Sequence, residues 1–113
     1  MNFSLTMTTA PRSACLRVGG DLDYETIDEL VDTTSQLLGR QVGLTDLHLD
    51  FSRLTFLDSA ALSGLLLLRR RTSEAGVVLH LDNRPAFVDR VLQVTGVAGH
   101  FVSSHSDAES ASR

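Results

Sequence analysis

The apolar positions of this 113-residue chain switch between a two-residue and a helical period. That pattern predicts an α/β domain: a mixed sheet of four or five strands with helices packed mainly on one face. Three observations carry the prediction. Short runs that alternate apolar and polar residues are interleaved with runs at helical spacing. The stretch from Leu47 to Asp82 reads as strand, helix, strand, a βαβ unit whose strands run parallel and whose crossover is right-handed. Its strands also expose His48, His80 and acidic neighbours, whereas strands covered on both faces read as continuous apolar runs.

The first run, Phe3-Ser4-Leu5-Thr6-Met7-Thr8, alternates as a half-buried strand does. After the turn-forming Ala10-Pro11-Arg12-Ser13, the segment Ala14 to Val18 puts Ala14, Leu16 and Val18 on one face, so the two runs form an antiparallel pair. Gly19-Gly20-Asp21-Leu22-Asp23 breaks the strand. Ile27, Leu30, Val31, Thr34, Leu37 and Leu38 then recur at helical spacing. Asp23, Glu25, Asp28 and Glu29 load the start of this helix with the charge its dipole favours. Gly39, or Gly43 a turn later, ends it. Leu47, Leu49 and Phe51 alternate with Asp46, His48 and Asp50 in a third strand; Val77, Leu79 and Leu81 alternate with Val78, His80 and Asp82 in a fourth. A helix from about Ala60 to Glu74, closed by Gly76, joins them. A last helix starts near Pro85, buries Phe87, Val91 and Leu92 and stops at Gly96. A short strand, His100-Phe101-Val102, follows. The domain spans residues 1–102, and the polar, small-residue-rich stretch 103–113 reads as a disordered tail.

Composition narrows the function. Hydrophobic residues make up 42% and charged residues 21%, an ordinary balance for a soluble globular protein. The net charge of −4 argues against a nucleic-acid binder, which needs a basic face, and against docking on an anionic membrane. The one basic cluster, Arg69-Arg70-Arg71, falls near a helix end, where it complements the dipole. No run is apolar for the roughly 18 residues of a membrane span, and the N-terminus shows no signal-peptide pattern. With the lone Cys15 unable to form an internal disulfide, the cytoplasm is the expected location. All ten basic residues are arginine. Without lysine, P-loop chemistry, Schiff bases and a Ser–Lys pair are excluded.

The informative stretch is Leu49-Asp50-Phe51-Ser52-Arg53-Leu54-Thr55-Phe56-Leu57-Asp58-Ser59-Ala60-Ala61-Leu62. A strand runs into a short connection, and Asp58-Ser59 stands where a helix begins. Either residue can cap that helix by accepting a hydrogen bond from a free backbone N–H, worth about 1 kcal/mol. A hydroxyl there also sits where backbone donors and the dipole favour an anion. Phosphorylation of Ser59 would add about −1.5 to −2 charges at little structural cost. Capping and switching are compatible. Leu62, Leu65, Leu66, Leu67 and Leu68 cover more than one helical face: either the helix is fully buried, or its first turns form an apolar docking patch beside Ser59.

Other chemistry is thinly supported. His48 and His80 fall near each other on the exposed sheet face, but no third metal ligand is evident. Leu57 and Ala61 occupy the glycine positions of a G-x-S-x-G elbow around Ser59, which argues against a hydrolase. Asp50 near a strand end suits a phospho-aspartate receiver, whose chemistry relies on the lysine this chain lacks. No nucleophile–base pair and no cofactor motif is found, so a binding protein is expected, not an enzyme.

Asp50-Phe51-Ser52, then Thr55-Phe56-Leu57-Asp58-Ser59-Ala60 and the leucine-rich helix, resembles the signature of STAS domains, closest to bacterial anti-sigma factor antagonists. Val18-Gly19-Gly20-Asp21-Leu22-Asp23 resembles that family's first loop, and Val94-Thr95-Gly96-Val97-Ala98-Gly99-His100-Phe101 its closing segment. The resemblance implies partner switching: an unphosphorylated antagonist binds an anti-sigma factor that is also a serine kinase, freeing a sigma factor. ATP-dependent phosphorylation of the serine, reversed by a phosphoserine phosphatase, releases the partner. On this chain Ser59 would be the phosphoacceptor and Asp58 its cap. Asp23, Asp58, Ser59, Ala60, Leu62 and Ser63 would form the partner surface, with no cofactor, no nucleic acid and no membrane insertion. Ala61 stands where the family usually has glycine, and Ser63 where glycine or alanine is common. The alternative reading is an unphosphorylated STAS adaptor subunit of a transporter or signalling scaffold.

Overall fold

In the computed structural model, which describes residues 2–101, the chain begins as a pair of strands, β1 (Phe3–Thr9) and β2 (Ser13–Leu22). They pair antiparallel around Ala10–Arg12. Helix α1 (Ile27–Arg40) leads to β3 (Asp46–Leu57), helix α2 (Ser59–Glu74) to β4 (Val78–Asp82), and α3 (Ala86–Val94) to a 3-10 turn, Ala98–His100. The sheet order is β1-β2-β3-β4, with β3 parallel to both β2 and β4. The mixed four-stranded α/β fold expected from the sequence is therefore present.

One sheet face carries the core. Leu16, Leu47, Leu49, Phe51 and Leu81 are completely buried there, together with Leu30, Leu65, Leu68 and Val88 of the helices. Each such side chain contributes about 1.5–3 kcal/mol when removed from water. A one-residue slip of any strand would turn this set outward, so burial fixes the register. Among the described residues no helix covers the other face, as the alternation predicted. There Asp50 accepts hydrogen bonds from the Ser52 amide (3.0 Å) and the Asn83 side chain (3.1 Å), and lies 3.5 Å from Arg17. Burial alone would raise the pKa of Asp50; these donors outweigh it and hold the carboxyl below its ordinary range.

Five expectations are corrected. Gly19-Gly20 does not break the second strand; β2 continues to Leu22 through register shifts on either side of these residues. Gly20 adopts φ +82°, and a Cβ on it would fall 2.0 Å from the Asn2 carbonyl oxygen, so glycine is required at this crossing. The third strand runs six residues past Phe51, to Leu57. Helix α1 passes Gly39 without interruption and is capped at Gln41. Helix α3 buries Val88 with Leu92, leaving Phe87 and Val91 partly exposed. Where a short strand was expected, Ala98–His100 forms a 3-10 turn. Val102 and the proposed tail 103–113 lie outside the described residues.

Candidate functional site

The site residues gather at the carboxyl ends of β2 and β3. In open α/β sheets these ends, with the loops that leave them, form the usual binding edge. The loop after β2 is built by Asp23. Its Oδ1 accepts hydrogen bonds from the amides of Glu25 (3.0 Å) and Thr26 (3.2 Å). Thr26 Oγ1 accepts from the Asp23 amide (2.9 Å) and donates to the Asp21 carbonyl (2.8 Å). Asp23 is thus committed to shaping its own turn, an Asx arrangement that leaves Tyr24 at the tip.

Asp58 is the N-cap of α2. Its Oδ1 accepts the Ala61 amide at 2.9 Å, the capping bond the sequence suggested. Its Oδ2 accepts the Tyr24 amide at 3.2 Å, so one carboxylate joins the two loops. Ser59 is the first residue of α2 and is exposed. Its side chain lies where a helix start favours negative charge, and the first turn of α2 itself holds no acidic residue.

The predicted partner residues divide. Ser59 and Ser63 are exposed, and Asp23, Asp58 and Ala60 are half-buried. Leu62 is a correction: it is only 8% exposed and packs into the core with Leu65 and Leu68, so it holds α2 in place and offers no surface. Leu66 and Leu67 remain partly exposed. Helix α2 is therefore not wholly buried, and the exposed positions of its first turns are Ser59 and Ser63, with Leu66 and Leu67 only partly exposed beyond them. Ala61 is fully buried, and its Cβ fits the core where the resemblance led one to expect glycine.

Two residues escaped the sequence reading. Tyr24 is 69% and Phe56 48% exposed, and they lie on the two segments that Asp58 ties together. Large exposed aromatics beside a polar loop are common anchors in protein interfaces. Phe56 lies near the end of β3, where the alternation of buried and exposed residues has lapsed, so periodicity gave no signal for it.

Among the described residues, no helix is long and apolar enough to cross a membrane. A short mixed sheet with helices on one face and a capped helix start at the strand ends define a small α/β domain. The chain matches the family model described as "Mlab, STAS domain" over residues 5–103, and it belongs to the STAS-domain family. It is a binding domain and not an enzyme. The anti-sigma-B factor antagonist of Staphylococcus aureus is 26% identical over 100 residues, which cover 86% of this chain and 88% of that protein. An anti-sigma factor antagonist from Mycobacterium paratuberculosis superposes with a TM-score of 0.78 at 19% identity, covering 97% of this chain and 93% of the other. The Bacillus cell fate determinant SpoIIAA, in its phosphorylated form, gives a TM-score of 0.68 at 23% identity over 99% and 100% of the two chains.

Proposed function

We propose that this protein is an anti-sigma factor antagonist whose binding surface is the pair of loops around Ser59. Unphosphorylated, it binds an anti-sigma factor that is also a serine kinase. Phosphorylation of Ser59 releases that partner, and a phosphoserine phosphatase restores binding. The observation that carries this reading is the position of Ser59: exposed, first in α2, next to the loop that bears Tyr24 and the end of β3 that bears Phe56.

The physics of such a switch is simple. A phosphate at Ser59 is tolerated by the isolated fold, because the side chain faces water at the positive end of a helix. In a closed interface the same dianion lacks a partner charge, and burying it costs several kcal/mol. Every 1.4 kcal/mol is tenfold in affinity, so a hundredfold loss needs only about 3 kcal/mol. Asp23 and Asp58 add like charge nearby and sharpen the loss.

The test is a pull-down from lysate of the source organism with wild type, Ser59→Ala and Ser59→Glu as baits. Recovery of one ATP-binding serine kinase by wild type and Ser59→Ala, but not by Ser59→Glu, supports the reading. If all three baits retain the same transporter or scaffold subunit, Ser59 is a helix residue only and the adaptor role replaces the switch.

A further inference from the structure

The open face of the sheet, away from the helices and from Ser59, carries an arrangement that partner switching does not use. His48 of β3 and His80 of β4 are register partners in the parallel ladder. Their rings stack with centroids 4.2 Å apart and planes 11° from parallel. A carboxylate pins each ring: His48 Nδ1 lies 2.7 Å from Asp82 Oδ2, and His80 Nε2 lies 2.8 Å from Asp46 Oδ1. All four side chains are at least partly sheltered, His80 and Asp82 most of all.

Ion pairing alone leaves one atom unexplained. His80 Nδ1 is buried and has no hydrogen-bond partner among the described residues. With Nε2–H donating to Asp46, Nδ1 holds a lone pair that receives no hydrogen. An imidazole whose far nitrogen is fixed by a carboxylate, with the near one free to donate a lone pair, is the arrangement that prepares histidine as a metal ligand. His48, His80 and Asp82 each offer a ligand atom, and these atoms lie within 4.8 Å of one another. Ligands around a tetrahedral cation with bonds near 2.0–2.1 Å stand roughly 3.3 Å apart, so closing the set takes shifts of about 1 Å, rotation of the His48 ring out of the stack and exchange of the His48–Asp82 hydrogen bond for bonds to the ion. Cys15 flanks His48 across β2, but its thiol is not within that distance of all three.

We propose that His48, His80 and Asp82 form a binding site for a borderline first-row divalent cation, represented by Zn2+. Two imidazole nitrogens and one carboxylate oxygen are the donor set such an ion prefers over Ca2+ or Mg2+, which take oxygen ligands. Asp46 is a positioning residue that holds the ring of His80. Among the described residues no helix covers this face, and water is the natural fourth ligand of such a site.

The experiment is a Zn2+ titration of the untagged full chain by calorimetry, with Co2+ absorption as a second probe. Wild type should bind one ion saturably, and Co2+ should develop the intense visible bands of a tetrahedral site. His48→Gln and Asp82→Asn should each weaken Zn2+ binding at least tenfold, and Asp46→Asn roughly tenfold or more through loss of ring orientation. The double substitution His100→Gln/His105→Gln should leave it unchanged. Thermal melts without metal identify any variant that misfolds. For those, the imidazole 15N signals of wild-type His48 and His80 decide instead, since both must shift together on adding Zn2+. No saturable binding tighter than about 100 μM, binding indifferent to His48 and Asp82, or loss confined to the His100/His105 variant overturns the proposal: the histidines then serve only as cross-strand partners of Asp46 and Asp82.

Discussion

Asp58 holds Tyr24: the Asp58 Oδ2 accepts the Tyr24 backbone amide at 3.2 Å, across 34 positions of sequence. The same carboxylate caps α2 through the Ala61 amide. The start of the helix that bears Ser59 and the loop that bears Tyr24 therefore share one anchor.

Removing that anchor separates its two roles. Asp58→Ala should lower stability by about 1–2 kcal/mol, the usual cost of a lost N-cap together with a lost loop bond. Asp58→Asn keeps an acceptor oxygen and should lose less than about 0.5 kcal/mol. Urea unfolding measures both, and equal losses in the two variants would show that the charge matters and the cap geometry does not.

Ser59 itself should be thermodynamically quiet. It is exposed and makes no capping bond, which Asp58 supplies, so Ser59→Ala and Ser59→Glu should both stay within about 0.5 kcal/mol of wild type. If urea melts show Ser59→Glu to be destabilised well beyond this, its failure to bind a partner could not be assigned to the interface.

Helices α1 and α2 meet closely where Gly64 faces Ile27. A Cβ on Gly64 would lie 2.3 Å from Ile27 Cγ1 and 2.6 Å from its Cδ1, and Ile27 is buried. Gly64→Ala should cost about 1 kcal/mol net, overpacking of roughly 1–3 kcal/mol outweighing a helix-propensity gain of about 1 kcal/mol. In an Ile27→Ala background the clash is gone, and the same substitution should become stabilising. A double-mutant cycle by chemical denaturation reads the change of sign; the same effect in both backgrounds would contradict the contact.

Gly20→Ala should be among the most damaging single substitutions. It forces an L side chain into φ +82° and against the Asn2 carbonyl, whose oxygen accepts the Asp21 amide at 2.6 Å. Strain alone costs about 1–3 kcal/mol. Hydrogen exchange should show the loss first in Phe3–Leu5 of β1, and protection retained there would count against it.

Cys15 should be a sluggish thiol. Partial burial raises its pKa, and the carboxylates of Asp50 and Asp82 raise it further against the opposing pull of Arg17. A raised pKa means less thiolate at any given pH. The alkylation rate of the folded protein should therefore reach its midpoint at a higher pH than that of an unstructured cysteine peptide. A midpoint at or below the peptide's would refute it.

The local pattern of residues determined which segments became strands and helices, because period and caps are properties of a few neighbours. The alternation around Leu49 and Leu81, the helical spacing from Ile27 and the capping residue Asp58 were all legible in this way, as was the open sheet face. Tertiary packing decided what local pattern leaves free. The run Leu65-Leu66-Leu67-Leu68 does not say which leucines face inward; contact with the sheet and α1 selected Leu62, Leu65 and Leu68 for burial. Gly19-Gly20 reads locally as a break, yet pairing on both sides carried β2 through it, since a bulge at glycine costs less than unpaired backbone. The Asp58–Tyr24, His48–Asp82 and His80–Asp46 contacts each join residues 34 positions apart. They exist only because β2, β3 and β4 lie side by side in parallel register, a relation no short window of sequence contains.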